Sequence, residues 1–318
     1  MRLTHAVGCL SVALAVASCG PQELPTQPPT SVRFITGVSG GSFRAIAESL
    51  KTEVQKLHPE LSIELLPGSG AVGNVEAVEE GRADIGLAFA DVAYLAANGE
   101  LRGHPRASEH LVGMAVLQTT PLHVVAAASE TALNVSQLRE PVGMAGTVAT
   151  GSAITARLVL ETLAPSLAAT KVASPAPDAV PQLLENGKLQ AYFQLATAPL
   201  GWVQEAIDGR ARLLSFSQSQ VQQLMSSYPF FKPAIIGSHQ YKGLQQSVQT
   251  IGVDSLLICR KELPESVVRD LMTALFDARL AFRPTYGADF LGVESAPATS
   301  IPLHPGAARF YRERELAR

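Results

Sequence analysis

Cysteine is scarce in this sequence, which has three in 318 residues: Cys9, Cys19 and Cys259. The first two lie in an N-terminal segment that has the pattern of an export signal, described below. If Cys9 is removed with that signal and Cys19 is modified, no intramolecular disulfide can form. Cys259 ends an apolar run, residues 251–259, and we expect a buried, unreactive thiol.

Three further features are missing. The formal net charge is −3 and the pI is near 6.2, so no basic field favours nucleic-acid binding. The seven histidines show no H-x-x-x-H spacing, which predicts no metal site. After the N-terminal run, no apolar stretch reaches the roughly 20 residues of a membrane-spanning helix. We expect a globular protein without metal or cofactor.

The N-terminus has the pattern of a secretory signal over residues 1–18. Arg2 and His5 precede an apolar run, and the junction at Ser18 and Cys19 resembles a bacterial lipobox. We expect Cys19 to carry a fatty acyl chain such as palmitate, although plain cleavage near Ser18 is an alternative. Residues 19–31 are rich in Pro, Gln and Thr, which predicts a flexible tether. The expected location is extracytoplasmic, anchored to a bacterial membrane, with inner or outer membrane left open.

The rest of the chain alternates between strand-like and helix-like segments. A buried strand at 32–36 is followed by helical spacing over 42–57, and the pattern recurs at 62–66, 72–80, 84–89 and from Asp91. Such alternation is typical of βαβ units with a mainly parallel sheet. Apolar runs at 111–117 and 122–128, strands at 142–145, 190–194 and 211–216, and helices at 151–163, 179–184 and 218–225 indicate a second sheet. A long strand at 250–259 and a helix at 264–282 follow.

The first glycine-rich loop lies between the first strand and the first helix. Residues 37–41 match the G-x-S-x-G nucleophile elbow, which makes Ser39 a candidate nucleophile with Asp289 and His304 in the right chain order. Because no strand or oxyanion loop precedes the first strand and its loop, the hydrolase interpretation remains an alternative. His304 precedes Pro305 in a C-terminal turn, where a structural role is expected.

The second glycine-rich loop, residues 68–73, matches the G-x-G-x-x-G fingerprint of dinucleotide sites, with Asp91 near the place of a ribose-binding acid. The helix that follows is too short for the usual crossover, and Pro67 lies where the strand should enter the turn. Both features disfavour a dinucleotide.

A third loop of the same chemistry, residues 147–152, leads into the helix at 151–163. All three loops offer backbone N–H groups, small hydroxyls and a helix N-terminus, which together attract an anion such as a carboxylate. Plain helix capping is the alternative for each loop. Carboxyl ends of strands and domain interfaces are common ligand sites, so we expect a cleft between two α/β lobes.

In this order the segments resemble the TAXI family of solute-binding subunits of tripartite ATP-independent periplasmic (TRAP) transporters. The resemblance runs from Thr36 to Arg312. It rests on the three loops and on five further segments: 81–87, 91–94, 228–231, 253–257 and 304–307.

The resemblance implies a two-lobed type II periplasmic-binding fold that closes about a hinge of two long strands, near 122–126 and 250–253. Lobe 1 would comprise residues 32–126 and 248–318, and lobe 2 residues 127–247. It also implies a small acid such as glutamate or 2-oxoglutarate as ligand and a TRAP-type permease as membrane partner, with no catalytic residue. The candidate ligand-binding residues are Ser39, Gly40, Gly41, Ser42, Phe43, Ser69, Gly70, Asn74, Asp91, Gln118, Thr150, Gly151, Ser152 and Gln194.

The chain departs from the family pattern at positions that bear on the ligand. Gln118 replaces a common aromatic residue, residues 149–152 read Ala-Thr-Gly-Ser, and Gly68-Ser69 stands where threonine-glycine is usual. The ligand's name therefore does not transfer. A receptor that signals to a membrane sensor through the same cleft is a further alternative. Trp202 is expected either at the ligand or in the core.

Overall fold

A computed structural model describes residues 30–37, 42–104, 106–147, 150–168, 173–287 and 289–316. The strands are β1 (Thr30–Ile35), β2 (Leu61–Leu66), β3 (Ile85–Phe89), β4 (Leu111–Ala126), β5 (Val142–Met144), β6 (Ala191–Leu195), β7 (Arg212–Leu213), β8 (Phe231–Ile236) and β9 (Val248–Arg260). The helices are α1 (Ser42–Leu57), α2 (Ala71–Glu79), α3 (Ala90–Ala97), α4 (Gly151–Leu163), α5 (Pro165–Ala168), α6 (Val180–Glu185), α7 (Gly201–Asp208), α8 (Gln218–Ser227), α9 (Glu265–Tyr286) and α10 (Pro305–Leu316).

The first lobe is built on βαβ units, as the alternating pattern predicted. β1 pairs in parallel with β2 on one side and β3 on the other, and α1 and α2 make the crossovers. Helix α1 forms because its apolar residues recur at helical spacing; Phe43, Ile46, Leu50 and Val54 are all buried. This arrangement brings the carboxyl ends of β1, β2 and β3 to one edge of the sheet.

Strands β4 and β9 run through both lobes. Residues 111–121 of β4 pair antiparallel with β9, whereas residues 122–126 pair with β6 and β7. On β9, residues 255–259 pair with β3 and residues 248–253 pair with β8. Each long strand therefore changes partners midway, which forms the two-strand hinge of a two-lobed α/β fold. The apolar runs at 111–117 and 122–128 are one strand, because the polar stretch between them continues the same pairing.

The second lobe carries β5, β6 and β7 with the far end of β4. β5 lies parallel to β6, so their carboxyl ends also share an edge. A large apolar core extends from the first lobe across the α4 side of this sheet, and a second cluster around Trp202 and Tyr192 covers the other side. Trp202 is therefore a core residue. The described residues include no helix long and apolar enough to cross a membrane.

Several element predictions were incomplete. The expected strand at 211–216 is shortened to β7, because residues 214 and 216 bond singly to other strands instead of continuing a ladder. The last long helix, α9, continues beyond 282 to Tyr286. Strand β8 and helices α7 and α10 were not predicted. Cys259 is fully buried, and burial raises the pKa of its thiol, in agreement with an unreactive role.

Candidate functional site

The starts of α1 and α4, which belong to different lobes, meet at Phe89 at the end of β3. The ring of Phe43 lies 4.7 Å from the ring of Phe89, measured between centroids. On the other side, a Cβ added to Gly151 would lie 2.2 Å from the Cδ2 atom of Phe89. Only glycine at position 151 allows this approach. The carboxyl end of β3 is thus held between the N-termini of two helices.

The first loop can be described only at its ends. Ser39, Gly40 and Gly41 lie outside the described residues. Ser42 is exposed at the first position of α1, and Phe43 is buried against Phe89.

The second loop is held close to the first strand. A Cβ on Gly68 would lie 1.9 Å from the carbonyl oxygen of Thr36, so a side chain is excluded there. Gly70 has a φ of 120°, which favours glycine, and it precedes α2 without a side-chain cap. Ser69 is exposed and its hydroxyl lies over Gly73. This loop presents backbone and a hydroxyl at the sheet edge.

Asn74 lies beneath this second loop rather than at an open surface. It is fully buried, and its Nδ2 donates to the carbonyl oxygen of Leu87 over 2.7 Å. Its Oδ1 has no hydrogen-bond partner among the described residues. Asn74 thus ties α2 to β3.

Asp91, predicted as a ligand residue, bonds across the two lobes. Its Oδ2 accepts from the Thr155 hydroxyl on α4 over 2.5 Å, and its Oδ1 accepts from its neighbour Val92 over 2.7 Å. Both side chains are fully buried. Burial raises the pKa of Asp91 to about 6, although these hydrogen bonds act to lower it. Thr155 was not predicted; a polar residue on the buried face of α4 was its only signal in the sequence.

In the third loop, hydroxyls bond mostly to the protein itself. The Thr150 hydroxyl donates to the carbonyl oxygens of Ala145 and Thr147, both over 2.9 Å, and caps α4. The Ser152 hydroxyl accepts from the backbone N–H of Leu195 over 3.1 Å. Helix capping, the alternative considered for this loop, therefore describes Thr150. The Thr150 hydroxyl oxygen also accepts from the backbone N–H of Ala153 at the start of α4, over 3.4 Å.

The other two predicted residues also have protein partners. The Gln118 Nε2 donates to the Thr197 hydroxyl over 3.1 Å, which joins β4 to the segment after β6. The oxygen of the Gln194 side chain accepts from the indole N–H of Trp202 over 2.7 Å. Gln194 is thus occupied by the second core, whereas Gln118 lies at the hinge.

A cavity of about 740 Å³ lies beside the hinge, with walls from both lobes. Gln118, Thr119, Thr197, Lys232 and Tyr286 are among its lining residues. Two of these lining residues bond to the buried Asp254, which accepts from Thr119 over 2.7 Å and from Lys232 over 2.5 Å. These three residues come from β4, β9 and β8.

The electrostatics of the loop helices suit an anion. Neither α1, α2 nor α4 has an acidic residue in its first turn. No carboxylate within these first turns therefore offsets the partial positive charge of the helix N-termini. No group of His, Cys, Asp and Glu within the described ranges is placed to hold a metal ion.

The hydrolase alternative finds no partner in His304. This residue is buried, its Nδ1 accepts from the backbone N–H of Gly306 over 3.0 Å, and its Nε2 lies 3.2 Å from the carbonyl oxygen of Lys261. One ring nitrogen thus bonds to the start of α10 and the other to the segment that follows β9. Asp289 is exposed.

Two α/β lobes joined by a two-strand hinge define the fold of periplasmic solute-binding proteins. This chain belongs to the NMT1-like family, whose model matches residues 34–314. MatC of Rhodopseudomonas palustris, solved with bound malate, has a similar structure: the TM-score is 0.54 and the identity 15%, over 90% of this chain and 99% of that chain. A second R. palustris protein, solved with adipate, gives a TM-score of 0.52 at 16% identity, over 92% and 96%. A periplasmic transporter gives 0.53 at 15% identity, over 92% and 94%.

Proposed function

We propose that this protein is an extracytoplasmic, lipid-anchored receptor that binds a small carboxylate between its lobes and delivers it to a TRAP-type membrane transporter. The observation that carries the proposal is the meeting of the α1 and α4 N-termini at Phe89. Two helix N-termini from different lobes can hold one anion only when the lobes are together. Binding therefore stabilises the closed form by its differential affinity for it.

The proposed lobes are residues 32–126 with 248–318, and residues 127–247. These limits lie close to the places where β4 and β9 change partners. Closure would pivot there, around the hydrogen-bonded pair of Gln118 and Thr197.

Dicarboxylates are the proposed ligand class. Three loops offer amide and hydroxyl donors but no cationic side chain, so specificity would come from geometry rather than from an ion pair. Two structures of similar fold were solved with malate and adipate, both dicarboxylates. Glutamate and 2-oxoglutarate, which the TAXI resemblance implies, belong to the same class.

A thermal-shift screen of the purified protein tests the ligand class. The candidates are malate, adipate, glutamate and 2-oxoglutarate, with the uncharged diamide of malate as control. A true ligand adds about 2.7 kcal/mol to stability at a hundred times its dissociation constant. We expect at least one diacid to raise the melting temperature and the diamide not to. If no acid does so, the carboxylate proposal fails.

The anchor is tested separately in a bacterial host. Metabolic labelling with palmitate should mark the protein, and Cys19→Ser should abolish the label and move the protein from the membrane fraction to the soluble fraction. Retention of the protein in the membrane after this change would contradict lipid anchoring. Co-purification of the anchored protein with a multi-spanning permease, rather than with a sensor kinase, would separate transport from signalling.

A further inference from the structure

The contact between α3 and α4 is a lobe-to-lobe seam that contains a buried carboxyl group. Asp91 of α3 and Thr155 of α4 are joined by a hydrogen bond of 2.5 Å, and neither side chain is exposed. Phe89 and Gly151 pack next to it without room for another methyl group. We define the seam as these four residues. Any movement that separates the lobes along it exposes Asp91 to water.

We propose that Asp91 is a positioning residue that makes closure of the lobes take up a proton. It does not contact the solute; it holds the N-terminus of α4 against the end of β3 through Thr155. The inference rests on the closing motion of the proposed receptor, but not on the identity of its solute.

The direction of the effect follows from the cause of the shift. Burial is the largest contribution and raises the pKa of Asp91 to about 6, while hydrogen bonds from Thr155 and Val92 oppose it. An open seam returns the carboxyl group towards its ordinary pKa of 3.8. The closed form therefore binds protons more tightly, and closure is favoured as the pH falls through 6.

Within the part of the chain that the structure describes, the shift is caused by burial and not by a charged group. Hydrogen bonds from Thr155, Val92 and the residue's own backbone oppose it. β3 has no charged side chain. The other elements packed against α3 carry the charged residues Glu76 and Glu79 on α2, Arg157 and Glu161 on α4, and Asp254 and Arg260 on β9.

The expected effect of pH on the ratio of closed to open protein is moderate. With a pKa of about 6 in the closed form and 3.8 in the open form, the ratio of closed to open protein rises by up to about tenfold between pH 7 and pH 5. Closure without solute is therefore measurable between pH 7 and pH 5.

Single-molecule Förster resonance energy transfer measures the ratio of closed to open protein without any ligand. Dyes would be attached to cysteines introduced at Leu57 in the first lobe and Leu133 in the second, which are 55% and 73% exposed. The full-length chain would carry Cys9→Ser and Cys19→Ser, and Cys259 is buried. We expect the closed population to increase as the pH is lowered from 7.5 to 5.

Three variants are expected to give three different pH profiles. Asp91→Asn removes the titrating group while keeping an acceptor oxygen, so its closed population should not depend on pH. Thr155→Val removes the bond that lowers the pKa, so closure should be weaker at pH 7.5 and more steeply dependent on pH. Thr155→Ser keeps the hydroxyl and should behave as the parent protein.

A parent protein whose closed population does not change with pH would overturn the inference. So would Asp91→Asn with the parent's pH profile, or Thr155→Val indistinguishable from Thr155→Ser. If Asp91→Asn does not fold, the two Thr155 variants decide the matter. A pH-dependent closure in a protein that binds no diacid would contradict the proposed ligand and leave Asp91's role standing; a diacid that binds with a flat profile would do the reverse.

Discussion

At the scale of single residues, several polar side chains of this protein are buried and hydrogen-bonded rather than exposed. Asp91, Asn74 and His123 are each fully buried, and each bonds to a different element. Burial shifts the pKa of a carboxyl group upwards and that of an imidazole downwards. Asp91 and His123 therefore contribute to the pH dependence of stability with opposite signs.

His123 predicts a loss of stability in acid. Its Nε2 lies 2.9 Å from the Tyr241 hydroxyl, and burial lowers its pKa to about 4 from the ordinary 6.5. The unfolded chain binds the proton first, so stability is present above pH 6.5 and is lost as the pH falls towards 4, by up to about 3 kcal/mol. In His123→Gln this part of the loss should disappear.

Urea unfolding of both proteins at pH 7.5 and pH 4.5 checks this expectation. Only the difference in unfolding free energy between the two pH values is compared, because the substitution also changes the absolute stability. The carboxyl groups titrate equally in both proteins. An equal loss in the parent and in His123→Gln would show that the imidazole is not responsible.

At the scale of elements, the helices that carry the binding loops were predictable and the hinge surroundings were not. Helices α1 and α4 have the predicted limits, since one apolar face repeats at helical spacing. β8 was missed because Pro233 interrupts it, which is tolerated at this position since β8 pairs with β9 alone. Helix α7 has only eight residues, too few for its apolar spacing to be recognised, and α10 is polar with a weak apolar face.

Sequence patterns also could not show which side chains of the site are free. The residue types around the loops were predicted, but Asp91, Ser152 and Gln194 bond to Thr155, Leu195 and Trp202. These partners come from segments 8 to 64 residues away along the chain. Helical or strand periodicity carries no information about such pairings.

We expect the cluster of Lys232, Asp254 and Thr119 to stabilise the fold at the hinge. The side chain of Asp254 is only 4% exposed. The substitution Lys232→Met would leave its carboxylate without a cation at the point where three strands meet. We expect a loss on the order of 2 kcal/mol, because an uncompensated buried charge is costly. Equilibrium unfolding in urea measures it.

The exposed pair Lys56–Glu53 on α1 provides the matched control. Its lysine is 61% exposed, so Lys56→Met should cost about 0–1 kcal/mol. The double variant Lys232→Met with Asp254→Asn should lose less than the sum of its single changes. If Lys232→Met costs no more than Lys56→Met, the cluster does not stabilise the hinge.

At the scale of the whole molecule, the proposed binding site is complete only when the two lobes are together. The first lobe supplies α1, α2 and the end of β3, and the second supplies α4, so neither lobe alone has the full set of donors. In the proposed receptor, solute capture and proton uptake both result from one closing motion about the hinge.

The most direct test of this account is the dissociation constant of the best diacid from the screen, measured by calorimetry for Gly151→Ala and Gly201→Ala. Both glycines are the first residue of a helix, but a Cβ at Gly151 would lie 2.2 Å from Phe89, whereas a Cβ at Gly201 meets nothing within 4 Å. Blocked closure should weaken binding at least about tenfold in Gly151→Ala, which corresponds to about 1.4 kcal/mol, and Gly201→Ala should bind as the parent protein does. Unchanged affinity in a folded Gly151→Ala variant would contradict solute capture between the lobes.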